Sequence, residues 1–290
     1  MLGPFLETLI GGLLTGVLYS LVALGFVLIF KASGVFNFAQ GSMVLFAAMT
    51  LARLAGWVPL PLAIALAAVI MIALAYAIEF LVLRRLVNQP DIILFMATIG
   101  ISYFLDGFGQ TLWGSDILEL NLHLPKNPIF IFESVFPGGL LIDPTELIAA
   151  VVCAVMVTVL AIVFQVTRFG RALRAVADDH QAAQSVGIPL NQIWLLVWAV
   201  SGIVALVAGM MWAAKLGVQF SLSLVALKAL PVLMLGGFTS IPGAIVGGLI
   251  IGAGEKLAEV MLSPMLTRWF DLAGGGIENW FAYMLALLFL

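Results

Sequence analysis

Charge is what this sequence has least of. Its 290 residues include 12 basic and 15 acidic side chains, about 9% in all, where a soluble domain carries roughly a quarter. With 63% of its residues apolar, a water-soluble fold would lack the polar side chains to cover its surface. The same apolar excess excludes intrinsic disorder. A net charge of −3 supplies no basic footprint for nucleic acid, so no such partner is expected. Cysteine is nearly absent, and the single Cys153 allows neither an intrachain disulfide nor a cysteine-rich metal site. The two histidines, His123 and His180, stand apart in polar connectors, so no metal is assigned. A cleavable leader is not expected either. Glu7 stands where a positive n-region belongs, and the apolar run behind it is too long for an h-region.

What is present is length of apolar run, at a mean hydropathy of +1.21. A bilayer core of about 30 Å needs about 20 helical residues at 1.5 Å each. Five stretches supply them, at 8–30, 61–83, 91–113, 144–166 and 191–213. Three less regular ones follow: 41–56 is short, 225–239 is short and carries Pro231, and 242–262 is rich in glycine. A ninth, 277–290, reaches only about 21 Å as a helix, so it is expected either to continue past Leu290 in the natural chain, the favoured reading, or to be a half-span. The expectation is an all-α polytopic transmembrane helical bundle. It has eight to nine spans with broken or re-entrant segments and forms a single domain over residues 1–290.

Counting crossings alternately, one side receives Lys31, Arg84, Arg85, Arg168, Arg171 and Arg174. The other receives Arg53, Lys126, Lys215 and Arg268, together with Asp116, Glu119, Glu133 and Asp143 in the loop 114–143. The more basic side is expected to be cytoplasmic, which places the N-terminus and the 114–143 loop outside.

On the basic side lies the loop 168–190, RFGRALRAVADDHQAAQSVGIPL with its flanking residue. One continuous helix would set its charges against the macrodipole. Two pieces fit better: the arginines close the preceding span, and a short helix starts at Asp178. Gln181 stands three residues after Asp178 as a capping-box partner, Gly187 is the C′ glycine, and Pro189 prevents continuation. About two turns of helix are too few to be stable undocked. The alternative is an ordinary amphipathic connector resting on the membrane.

Gln181-Ala182-Ala183-x-x-x-Gly187 has the spacing of the EAA-x-x-x-G loop of ABC importer permeases, with Gln for Glu. The stretch 171–189 resembles the cytoplasmic loop of the branched-chain amino-acid permeases among them. Gly16-x-x-Tyr19-x-Leu21-x-Ala23-x-Gly25, Asn37-Phe38-Ala39-Gln40-Gly41 and Leu235-Gly236-Gly237-x6-Gly243-Ala244-x2-Gly247-Gly248 resemble further motifs of that family, in the same order. The extended I-x-L-P tail of the wider importer pattern is missing after Gly187. The resemblance implies an inner-membrane permease subunit that moves branched-chain or related small amino acids or amides. It also implies a second permease chain (identical or homologous), two ATPase subunits that bind the ATP and Mg, and an external solute-binding protein, with 114–143 as its candidate dock. The helix carrying Asp178, Asp179, Gln181, Ala182, Ala183 and Gly187 would be the lever moved by the ATPase, with Ala182 or Ala183 letting it seat closely. This chain has no G-x-x-x-x-G-K-[ST] loop, so it is expected to bind no cofactor and to catalyse nothing.

Two polar, small-residue interruptions, 30–41 and 236–243, stand out near the cytoplasmic side. Irregular backbone at membrane depth survives only in protein or along a water-filled cavity, which makes Asn37, Gln40, Thr239 and Ser240 candidates for the transport path. Plain interfacial turns are the alternative. Asp106, about two-thirds along its run, is the most costly charge and a further path candidate, or a carboxyl paired with a neighbouring helix. Glu79 can pair with Arg84 or Arg85, and Glu255 and Glu259 share a helical face expected at the external interface. Gly12/Gly16, Gly243/Gly247 and Gly248/Gly252 have the four-residue spacing of close helix packing, with the 243–252 face expected at a subunit seam or a central cavity. Phe30, Trp57, Trp113, Trp194, Trp269 and Trp280 read as interfacial belt residues. Two other classes are weighed. An ion-coupled secondary transporter has only Asp106 in its favour. An intramembrane enzyme lacks HExxH, paired aspartates or a nucleophile with a base.

Overall fold

The computed structural model describes residues 2–86, 89–122, 124–125, 127–131, 139–270 and 276–289; His123, Lys126, Glu133 and Leu290 lie outside them. Among the described residues the secondary structure is helical apart from one short hairpin and an isolated bridge, Leu118 to Val218. The helices are α1 (Leu2–Ser33), α2 (Gln40–Ala55), α3 (Leu60–Leu81), α4 (Asp91–Trp113), α5 (Pro144–Val166) and α6 (Arg168–Asp178). They continue as α7 (His180–Ser185), α8 (Leu190–Leu216), α9 (Val225–Gly236), α10 (Ile241–Leu257), α11 (Ser263–Phe270) and α12 (Ile277–Phe289). Strands β1 (Ile129–Ile131) and β2 (Leu140–Ile142) pair antiparallel in the loop before α5, with Ile129 opposite Ile142.

The element ends follow local chemistry. Proline occupies the first helical positions of α3, α5 and α10, where its missing N–H costs nothing. Asp143 caps α5 by accepting from Thr145 N at 2.8 Å. Gly114 and Gly217 close α4 and α8 at φ of 82° and 75°, where a Cβ would strain the turn.

The core is organised around α1, which packs along α8 and α10, and around α2, which is buried on every side from Gln40 to Leu51. By contrast α3, α4 and α5 turn exposed Val69, Phe104 and Val155 outward. Exposed apolar faces on helices this long suit lipid. Five helices are long and apolar enough to cross a bilayer, or six if the bent pair 220–236 and 241–269, angled at 114°, counts as one span. The expected eight to nine are not confirmed among the described residues, because α2 and α9, with 16 and 12 residues, are each too short to cross a core of about 30 Å alone. The run 242–262 does not end at 262: α10 passes through a π-helical turn, Ala258–Leu262, into α11. Trp194 is buried in α8 at 4% exposure and is no belt residue.

Candidate functional site

The first interruption runs back into the protein. After Ser33 the chain reverses at Gly34, φ 70°. The ring of Phe36 stacks on Phe26 at 4.6 Å, and the Phe38 N–H donates to Thr98 Oγ1 of α4 at 3.2 Å. Asn37, fully buried, accepts from Ala39 N at 3.0 Å, a local turn that lets α2 begin. The side-chain amide of Gln40 then fills the space beside Gly25 where a Cβ would stand, while its Oε1 accepts from Ser201 of α8 at 2.9 Å. Gly25 lies eight residues before the end of α1, about 12 Å at 1.5 Å per residue. So α2 starts inside the bundle.

A second interruption, 217–224, was not among those expected from sequence. Beyond α8, buried Val218 exchanges backbone hydrogen bonds with Leu118 at 2.8 and 3.0 Å, and a 3-10 turn, Phe220–Leu224, leads into α9. The Ser223 carbonyl and the Ala226 methyl lie directly over Gly41, leaving no room for a Cβ there. The first turns of α2 and α9 therefore meet inside the protein. From that point α2 runs toward Trp113 at the end of α4, whose carbonyl accepts from Arg53. In contrast α9 runs to Phe238, whose ring packs on Phe30 near the end of α1 at 5.2 Å. A cavity of about 390 Å³ opens beside the junction, with Ser42, Ser102, Asp106 and Ser223 as its polar lining. The hydroxyls of Ser42 and Ser102 are 2.7 Å apart.

The path candidates are thus divided. Asn37, Gln40 and Asp106 gather at or beside the junction, although the Gln40 side chain turns away toward Ser201. Thr239 and Ser240 lie elsewhere, beside Lys31, Gln165 and Arg174 at one end of the bundle. Residues 236–243 form a tight corner in which Gly237 takes φ 88° and Ser240 caps α10 by accepting from Gly243 N at 3.0 Å. The interruption 30–41 meets 217–224 where Gly41 lies under Ser223, and touches 236–243 through Phe238, whose ring packs on Phe30 and Phe36. Sequence reasoning missed Ser42, Ser102 and Ser223. Two signals were available: Ser102 and Asp106 are four apart on one face of α4, and GVQFSLSL alternates polar with apolar residues after a helix-ending glycine.

The paired glycines make seams within this chain. Gly12 and Gly16 of α1 lie against Gly248, Gly252 and Ala253 of α10, and Gly243 and Gly247 lie against Gly236 and Val232 of α9. The expectation of a subunit seam or central cavity for the 243–252 face is corrected: a Cβ at these positions would strike backbone of the same chain. Glu255 is corrected likewise. It is buried, accepting from Tyr19 Oη at 3.0 Å and pairing with Lys228 at 2.7 Å, while Glu259 pairs with Lys256 at 2.8 Å on the surface. Glu79 pairs with Arg84 at 3.3 Å.

The loop 168–190 folds as two helices, but not with the expected boundary. The arginines do not extend the preceding span. Thr167 ends α5 and caps α6 by accepting from Gly170 N at 3.1 Å. From there Arg171 and Arg174 reach back to the Val166 and Phe164 carbonyls at the end of α5. One face of α6 buries Gly170, Leu173 and Val176; the other carries its charges. Asp178 is the last residue of α6 and no cap. Asp179 caps α7, its Oδ1 accepting from Gln181 N at 2.8 Å and Ala182 N at 3.0 Å, so Gln181 is not a capping-box partner. Gly187 takes φ 85° and returns the chain to α8. Ala183 is turned inward at 3% exposure, whereas Gln181, Ala182 and Val186 face out.

Long apolar helices, two half-helices joined inside the bundle and a capped surface segment define a multi-pass membrane permease. Residues 8–290 match the family described as branched-chain amino acid transport system / permease component, and the chain belongs to it. The high-affinity branched-chain amino acid transport system permease protein BraD of Pseudomonas aeruginosa is 32% identical over 267 residues, covering 87% of this chain and 85% of its own. The corresponding LivH of Escherichia coli K12 is 28% identical, covering 89% and 87%. A probable branched-chain amino acid transport permease protein LivH of Methanocaldococcus jannaschii is 29% identical, covering 91% and 84%. Membership favours an ABC importer permease subunit over an ion-coupled secondary transporter.

Proposed function

We propose that this chain carries branched-chain or closely related amino acids inward across the cytoplasmic membrane as one of two permease chains, identical or homologous, in an ATP-driven importer. Family membership over nearly the whole length is the observation that carries this reading. Two ATPase subunits supply the energy from the side of α6 and α7 and hold the ATP and Mg; this chain binds no cofactor and hydrolyses nothing itself. The N-terminus lies outside, and the loop 114–143 faces an external solute-binding protein.

The lever is α7, held by the Asp179 cap and the Gly187 turn and anchored to the bundle through buried Ala183. Its outward side chains are small at Ala182 and apolar at Val186, which is 75% exposed. An isolated helix this short has no stability of its own, so its form depends on docking. Ala182→Arg is expected to leave the chain folded and inserted but to abolish co-purification of the ATPase subunits. Undiminished co-purification contradicts the assignment of α7.

A further inference from the structure

We propose that the cavity between the first turns of α2 and α9 is a binding station that holds both charged ends of an amino acid on its way through the protein; this rests on the proposed function above. One wall is the carboxylate of Asp106, which the Ser42 hydroxyl engages but whose Oδ1 is shielded from solvent and has no hydrogen-bond partner. No basic side chain lines the cavity. A buried carboxylate oxygen left in this state favours a cationic guest. Beside it the first turn of α2 lines the cavity, where the N–H groups of Gly41 and Ser42 have no intrahelical acceptor. A helix N-terminus of this kind favours an anionic group. Half-helices that begin at mid-depth present that end to a transported carboxylate.

Hydroxyls of Ser42, Ser102 and Ser223 line the same cavity and can donate to a bound carboxylate or accept from an ammonium. The remaining lining is aromatic and aliphatic, with Phe36, Phe38 and Leu230 among it, and suits an aliphatic side chain. The volume of about 390 Å³ falls in the small-ligand range of roughly 300–1,000 Å³. Tyr103 and Leu224 at the mouth are exposed, so the cavity opens at the surface between α4 and the turn before α9. A carboxylate opening onto lipid is costly, so this mouth faces a water-filled path.

The test uses the complete complex of permease, ATPase and binding protein in proteoliposomes, with leucine as probe. Asp106→Asn is expected to lower ATP-driven leucine uptake about tenfold or more, and Asp106→Glu to retain most of it. Equal recovery of the ATPase with both variants shows that assembly is intact. A second measurement follows thiol labelling of a Ser223→Cys variant in the same complex. Leucine is expected to slow labelling, and 3-methylbutan-1-amine, which keeps only the ammonium, to slow it less and only while Asp106 is intact. Wild-type leucine uptake matched by Asp106→Asn overturns the station and leaves the permease reading standing, as does labelling that leucine does not slow. A wild-type complex that takes up no amino acid overturns both.

Discussion

A single hydrogen atom at position 25 decides where α2 can begin. The Gln40 amide occupies the place a Cβ would take on Gly25, and Ser201 holds its oxygen. Gly25→Ala is therefore expected to force Gln40 out, with an overpacking cost of about 1–3 kcal/mol. A lowered thermal midpoint of the detergent-solubilised protein would show it. Adding Gln40→Ala should recover part of the loss, and the double-mutant cycle measures the coupling. Additive effects of the two substitutions would contradict the contact. Position by position, the motif residues have separate tasks. Tyr19 bonds Glu255, Asn37 turns the chain, and Gly41 admits Ser223. Their identities could be read from sequence; their partners could not, because each lies on an element remote in the chain.

At the scale of elements, the two-part loop shows how near a sequence reading comes to the structure. Asp178 and Asp179 are equally good caps by composition. The choice falls to Asp179 because α6 continues through Asp178 to complete the buried stripe of Gly170, Leu173 and Val176. Asp179→Ala is expected to cost about 1 kcal/mol of local helix stability. Hydrogen exchange at the Gln181 and Ala182 amides should then speed by several-fold, while Asp178→Ala leaves it unchanged. Equal effects from both substitutions would contradict the Asp179 cap, and a larger effect of Asp178→Ala would return it to Asp178. The half-helices α2 and α9 were less legible. A helix buried on all sides and a helix bathed in lipid are both apolar all round, so hydrophobic pattern gives no depth. Shortness marked both, and Pro231 marked α9 as well, while the 217–224 segment that meets the first interruption was signalled only by its polar–apolar alternation after Gly217.

For the molecule as a whole, composition alone was enough to define a polytopic helical membrane protein, since no water-soluble surface could be built from so few charges. The number of crossings was not, because it depends on which short helices stop midway. The chain reads as two arms, each a long helix followed by a half-helix, α1 with α2 and α8 with α9, meeting where Gly41 touches Ser223. Such paired interruptions suit a solute path between two sides, and under the proposed function α7 is the short, outward-facing element through which the ATPase subunits act on it.

The most direct test of this account is uptake by the chain reconstituted into proteoliposomes with its permease partner, ATPase and binding protein. Radiolabelled leucine is expected to accumulate only when ATP is present on the ATPase side, and not with a Na⁺ or H⁺ gradient alone. Gradient-driven uptake by the permease chain without ATPase would contradict it.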